Sequence, residues 1–254
     1  MKRTVKKILA LALCLCTLVS FAGAEGDSNL LESFTLKHGS RETRKVAFTI
    51  DDCYKTRVKF IEEDVELCRK YGIRMTFFPI VKGGCLSEEY RDVWQSVLDA
   101  GCEIGSHSYQ HLYFRSFDYW TLIGRLGKWQ EALDKTLGYH YQTRWLRPPY
   151  GNIQGGKKIT EKQIVSAIRR YGYDHIIYWE VSETHVENAL KKIQNGSILL
   201  FHTNNKDTKC MDKLIPLLQE QGYEIVTISE LFGFDPPETS EELYVYNRED
   251  YEDK

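Results

Sequence analysis

The chain has 254 residues, 42% hydrophobic and 28% charged, a composition that excludes a disordered polypeptide and allows one large domain or two small ones. The formal net charge of −2 conceals a polarity: Lys2, Arg3, Lys6 and Lys7 stand without an acid in residues 1–24, whereas residues 235–254 hold eight acids against Arg248 and Lys254. The stretch between them is neutral and offers no basic face for nucleic acid, and a single long apolar run excludes a multi-span membrane protein.

That run, residues 8–21, follows the basic residues 1–7 and ends at Ala22-Gly23-Ala24, the pattern of a signal peptide over 1–24. Export with Glu25 as the first mature residue is expected. The run is short for a spanning helix, so an uncleaved membrane anchor is the second reading. Neither Cys14 nor Cys16 follows a small residue, so the segment is not of the lipoprotein type. Residues 25–43 are polar and irregular and read as a spacer. Of seven cysteines, Cys53, Cys68, Cys85, Cys102 and Cys210 remain after cleavage, an odd, scattered set unlike a disulfide framework.

From Val46 onward a short apolar strand, a loop and an amphipathic helix recur. Strands are expected at 46–50, 74–80, 103–106, 144–147, 175–181, 197–202 and 224–228. Val58, Ile61, Val65 and Cys68 share one helix face that Gly72 closes, and Leu122, Leu126, Trp129, Leu133 and Leu137 form a second stripe ended by Gly138. Further stripes precede Gly172 and Gly222, with Pro216 expected in the first turn of the last helix. Seven alternating units predict an α/β fold of parallel strands in a single domain over 44–234, enough to close or nearly close a (β/α)7 barrel. An open doubly wound sheet is the alternative, although no GxGxxG follows the first strand. Residues 235–254 read as an acidic, solvated, mobile tail.

The unusual polar residues fall at strand ends. Asp51 and Asp52 follow the first strand, His107 and His111 the third, Arg147 ends the fourth, Trp179 and Glu180 lie on the fifth, and His202 ends the sixth. All lie at C-terminal ends, where parallel barrels assemble their sites. Two histidines four apart with one carboxylate leave open positions on a divalent metal, the catalytic pattern; two ordinary half-buried histidines are the plain alternative. Adjacent carboxylates on a sharp turn point apart, so one can hold a metal while the other handles a proton, although an Asp there also suits a helix cap. Arg147-Pro148-Pro149-Tyr150-Gly151 is either a stiff exposed loop or a buried Arg clamping a carboxylate beside a fixed backbone.

Thr49-Ile50-Asp51-Asp52, His107-Ser108-Tyr109-Gln110-His111, Arg147-Pro148-Pro149-Tyr150-Gly151 and Leu200-Phe201-His202, in this order, resemble the polysaccharide deacetylases of carbohydrate esterase family four, and the peptidoglycan-active branch most. The resemblance runs from about Val46 to Gly233 and implies a distorted (β/α)7 barrel, in agreement with the seven units. It implies Asp51 as catalytic base, Asp52, His107 and His111 as metal ligands and Arg147 as the residue orienting the base. It further implies Tyr150 N–H as oxyanion donor, His202 as general acid, and Trp179 with Tyr150 against the substrate. One divalent ion is expected, zinc before cobalt or nickel. Cys53 stands where the family has Gly or Ala, and His185-Val186 replace an Asp-Trp pair that tunes the acid; Glu180 or Glu183 is expected to substitute.

The leading expectation is therefore an exported, metal-dependent N-deacetylase acting on a glycan, most of all on peptidoglycan amino sugars. A glycan-binding member with a weakened site, an esterase for O-acetylated xylan or another polysaccharide, and a two-carboxylate glycosidase using Asp51 and Glu180 are the alternatives.

Overall fold

A computed structural model of the protein describes residues 30–247. The signal peptide expected over 1–24 lies outside the described residues, as do residues 248–254 of the acidic tail. Along the chain run α1 (Leu30–Ser33), β1 (Thr35–Leu36), β2 (Lys45–Asp52), α2 (Val58–Tyr71), β3 (Thr76–Pro79), α3 (Arg91–Asp99), β4 (Glu103–Ile104), α4 (Tyr119–Leu137), β5 (His140–Tyr141) and β6 (Trp145–Leu146). They are followed by α5 (Glu161–Arg170), β7 (His175–Ile177), α6 (Val186–Lys192), β8 (Ile198–His202), α7 (Asn205–Glu220), β9 (Glu224–Val226), α8 (Ile228–Phe232) and β10 (Thr239–Ser240). Each of the seven expected strands is present, as β2, β3, β4, β6, β7, β8 and β9.

Strand β2 is the hub. Ala47 faces both Ile198 of β8 and Val226 of β9, and Thr49 faces both Leu200 of β8 and Thr76 of β3. Strand β8 therefore lies along one side of β2, while β9 and β3 share the other side in succession. All these pairings are parallel, and β2 is buried from Val46 through Asp51, as a strand covered on both faces must be. The ring continues from β3 to β4, crosses to β6 through a bridge between Ser106 and Leu146, and passes to β7. It returns to β8 through a bridge between Val181 and Leu199. The result is a distorted (β/α)7 barrel in which two of the seams are single bridges.

The helices form where the apolar stripes predict. In α2, Ile61, Val65 and Cys68 are buried, and Gly72 at φ 63° turns the chain out of the helix. Helix α4 starts at Asp118, whose carboxylate accepts the Thr121 N–H, and buries Leu122, Leu126, Trp129, Leu133 and Leu137. The buried Trp129 indole N–H donates to the Pro79 carbonyl at 2.8 Å, so the ring fills the core without an orphaned donor. The five described cysteines are buried and unbridged.

Three expectations need correction. From Leu30 the segment read as a spacer is part of the domain: Leu31 and Phe34 are buried, and β1 pairs in parallel with β7 through Thr35–Ile176 and Leu36–Ile177. Its few apolar residues are enough because a barrel edge awaits them. The tail is also docked as far as it is described. Strand β10 pairs antiparallel with β5, the Tyr244 N–H donates to Asp134 Oδ2 at 2.8 Å, and the Tyr246 ring rests on α4. That contact explains a glycine inside a helix: a Cβ at Gly127 would lie 2.4 Å from Tyr246. Finally, Pro216 sits in the middle of α7, not in its first turn. The Asp212 carbonyl that proline cannot pair lies 3.1 Å from the Tyr71 hydroxyl.

Candidate active site

The C-terminal ends of β2, β4, β6 and β8 meet at one mouth of the barrel. Strand β2 ends in two left-handed residues, Asp52 at φ 73° and Cys53 at φ 48°. Non-glycine residues avoid this region, so the turn holds strain of order 1–3 kcal/mol per residue that the surrounding packing maintains. The effect is to aim two consecutive carboxylates into one space. Cys53 is fully buried, and burial pushes its thiol well above the usual value, so it is packing, not a nucleophile.

Asp52 Oδ1 lies 3.7 Å from His107 Nε2 and 3.7 Å from His111 Nε2. Ligand atoms from all three residues fall within 4.8 Å of one another. Asp52 Oδ1 is itself buried and has no hydrogen-bond partner among the described residues. An orphaned carboxylate oxygen between two imidazoles is costly unless a cation completes it, and the donor set fits a divalent ion such as zinc. The imidazoles are prepared for that task. His107 Nδ1 lies 2.7 Å from the Arg147 carbonyl, which can only accept, so Nδ1 carries the proton and Nε2 offers its lone pair. Burial first, and His107 second, lower His111 below its ordinary value, which favours the neutral, ligating form.

Asp51 is held differently. Its Oδ1 accepts from Arg147 Nη1 at 2.8 Å, and its Oδ2 is 3.7 Å from His107 Nε2. Arg147 is fully buried and spends its remaining donors on Thr49 Oγ1 at 2.7 Å and on the Ile177 and Tyr178 carbonyls at 3.2 and 3.3 Å. Its guanidinium also lies 4.4 Å above the Phe78 ring and 5.6 Å from Trp179. Of the two readings of this segment, the structure has the clamp. Tyr150 adopts φ 62°, and its exposed ring stacks on Tyr113 at 4.3 Å and meets His111 edge-on at 4.1 Å. Trp179 packs against Gly151, where a Cβ would lie 2.7 Å from the indole.

His202 stands directly across the ladder from Asp51. Its carboxylate neighbour is neither glutamate that the sequence suggested. Glu180 is held by Arg41 and by Ser197, whose hydroxyl donates at 3.0 Å, and Glu183 is paired with Lys192. Asp207, in the first turn of α7, fills the position instead. Its Oδ2 accepts the His202 backbone N–H at 2.7 Å and lies 3.6 Å from the ring Nδ1. The Asp207 carboxylate raises the His202 imidazole above its usual value, against the opposing effect of burial and with help from Asp51 and Asp52. Sequence reasoning missed Asp207 because it lies on a helix, where an acid in the first turn reads as dipole stabilisation. It also missed Thr49, which shares Arg147 with Asp51.

A family model described as polysaccharide deacetylase matches residues 38–176. The chain is 26% identical over 202 residues to a peptidoglycan-N-acetylglucosamine deacetylase of Bacillus cereus, covering 76% of this chain and 70% of that one. It is 24% identical over 196 residues to the uncharacterized protein YlxY of Bacillus subtilis, covering 76% of this chain but only 59% of YlxY. Among solved structures, the Bc1960 peptidoglycan N-acetylglucosamine deacetylase superposes with a TM-score of 0.69 at 22% identity, covering 84% of this chain and 100% of that one. A CE4 family pseudoenzyme from Bacillus anthracis superposes with a TM-score of 0.66 at 23% identity, covering 78% and 68%.

Proposed function

Since the chain belongs to the polysaccharide deacetylase family, we propose that it is an exported, metal-dependent hydrolase that removes the N-acetyl group from a glycan, with peptidoglycan amino sugars as its substrate. The observation that carries this reading is the partnerless buried Asp52 Oδ1 between His107 and His111, beside an Asp51 that Arg147 holds by one oxygen only. Export rests on the basic and apolar pattern of residues 1–24, and the substrate rests on what the Bacillus cereus relative is named for.

Asp52, His107 and His111 would hold the ion. When bound, a divalent metal supplies Lewis acidity toward the acetyl carbonyl and lowers the pKa of water. The remaining chemistry falls to the chain. Asp51, with Oδ1 fixed by Arg147, has Oδ2 free to take a proton from the attacking water. The left-handed backbone at Tyr150 offers its N–H to the developing oxyanion, and the Tyr113–Tyr150 stack gives a sugar face an aromatic wall. His202, whose pKa Asp207 raises, donates a proton to the departing amine, and the C–N bond breaks to give acetate and a free amino sugar.

The reading of a weakened glycan-binding member drew on the His185-Val186 departure and on Cys53 in place of Gly or Ala. Asp207 beside His202 removes the first ground. The glycosidase reading needs a free Glu180, whereas Arg41 and Ser197 hold it. Acetate release from short N-acetylglucosamine oligomers, before and after chelation and reloading, is the test. No acetate from fully loaded protein would overturn the proposal.

A further inference from the structure

Between the start of α6 and one face of α7 lies an open groove of about 630 Å³. Thr184, His185, Val186 and Glu187 form one wall; Lys206, Lys209 and Lys213 line the other. Among the described residues none of these three ammonium groups has an ion-pair partner, although lysines close by do: Lys192 pairs with Glu183 and Lys70 with Asp212. Glu187 is the one acid in the lining, against three lysines.

The fold gains nothing from this arrangement. Residues three and four apart on a helix are neighbours, so like charges there repel. Lys206 and Lys209 also stand in the opening turns of α7, where the helix dipole is positive and cations are disfavoured. Removing them should therefore stabilise the helix. Asp207, one residue beyond Lys206, touches His202; neither lines the groove, whose Lys206 end is the end nearest the barrel mouth. A strand of sugars seated over the barrel mouth would run past it.

We propose that this groove is a subsite for a carboxylate carried by the glycan close to the sugar being deacetylated. The inference rests on the deacetylase reading for its choice of ligand. The three exposed lysines act as point charges on an anionic group by local field, and the deacetylase reading makes that group a carboxylate of the glycan.

The test uses the full mature chain and a triple variant, Lys206→Gln, Lys209→Gln and Lys213→Gln. The probes are a neutral N-acetylglucosamine tetramer and a tetramer whose alternate sugars carry a free lactyl carboxylate. Binding is measured by calorimetry at low and high salt, with acetate release in parallel. The wild type should bind the acidic tetramer about tenfold tighter at low salt, and the contrast should vanish at high salt and in the variant. Binding of the neutral tetramer should not change. In acetate release, the variant should raise KM for the acidic tetramer and leave kcat alone. Equal binding of both tetramers by the wild type, or a contrast that the variant retains, would overturn the subsite. Tighter binding of a glycerol phosphate oligomer than of the acidic tetramer would assign the groove to a phosphate polymer and also overturn it. The variant's thermal midpoint should equal or exceed that of the wild type; a lower one would make the lysines structural. Absence of acetate from both tetramers would sink the deacetylase reading, while the binding contrast would still decide the groove.

Discussion

Arg147 holds two different members of the site at once: its carbonyl accepts from His107 Nδ1 at 2.7 Å, and its guanidinium donates to Asp51 Oδ1 at 2.8 Å. One residue thereby fixes the tautomer of His107 with its backbone and the orientation of Asp51 with its side chain. Arg147→Met is expected to abolish turnover and to destabilise the fold by about 3–5 kcal/mol, because Asp51 is left as an unpaired buried charge. Adding Asp51→Asn should restore much of that stability and none of the activity. Chemical denaturation of the single and double variants checks this, and a double variant no more stable than the single would refute the charge argument.

Mature protein is expected to hold one divalent ion per chain. His107→Ala and Asp52→Asn should each lower its retention by at least tenfold, since little else in the site supplies a donor. Elemental analysis after stripping and reloading gives the answer directly; equal retention by His107→Ala and wild type would rule out the assigned ligands.

Asp51→Asn should keep the ion and lose turnover, because an amide can accept the Arg147 hydrogen bond but cannot take up a proton. Acetate release with metal content measured on the same sample separates the two effects. Retention of most activity would mean that another group is the base.

His202 must be protonated to serve as the acid, and Asp207 raises its pKa. Asp207→Asn is therefore expected to move the alkaline limb of the pH–rate profile toward lower pH. An O-acetyl substrate should suffer less, since an alkoxide leaves with less need of a proton than an amine does. The same raised pKa makes His202 contribute stability below its ordinary value near 6.5, a contribution lost as pH rises through the raised one. His185→Asp, by contrast, should leave the profile where it is, because Asp207 already occupies the role. A shift with His185→Asp and none with Asp207→Asn would reverse this assignment.

Tyr246 rests on Gly127, where a methyl group would collide. Gly127→Ala is expected to release the end of the tail, and cleavage there by a limiting amount of protease should speed up several-fold. Unchanged cleavage would show that β10 and the Tyr244–Asp134 bond hold the tail without Tyr246.

The barrel was legible because its seven units repeat one pattern, and a strand end is also where a parallel barrel places its chemistry. That coincidence places Asp51, Asp52, His107, His111, Arg147 and His202 in one mouth from the sequence alone. The partners of those residues were less legible. Asp207 sits on a helix turn, where an acid has an ordinary structural explanation. Glu180 was a plausible partner for His202 until Arg41, 139 positions away in the chain, turned out to hold it. The docking of Leu31, Phe34 and Tyr246 depends on surfaces that exist only once the barrel has formed, so no local periodicity announces it.

Strand β2 is laced to β3, β8 and β9, and this has a consequence for which genetic changes the chain can absorb. Register along β2 decides which side chain meets Arg147, so deleting one codon within 45–50 would bring Asp52 to the place of Asp51. Since β2 is covered on both sides, such a slip would sacrifice little apolar burial. The polypeptide would still fold as a barrel, with the wrong carboxylate in Arg147's grip. Length changes in this strand should thus appear in a mutational library as soluble, inert protein, whereas point changes in its apolar residues should appear as lost expression.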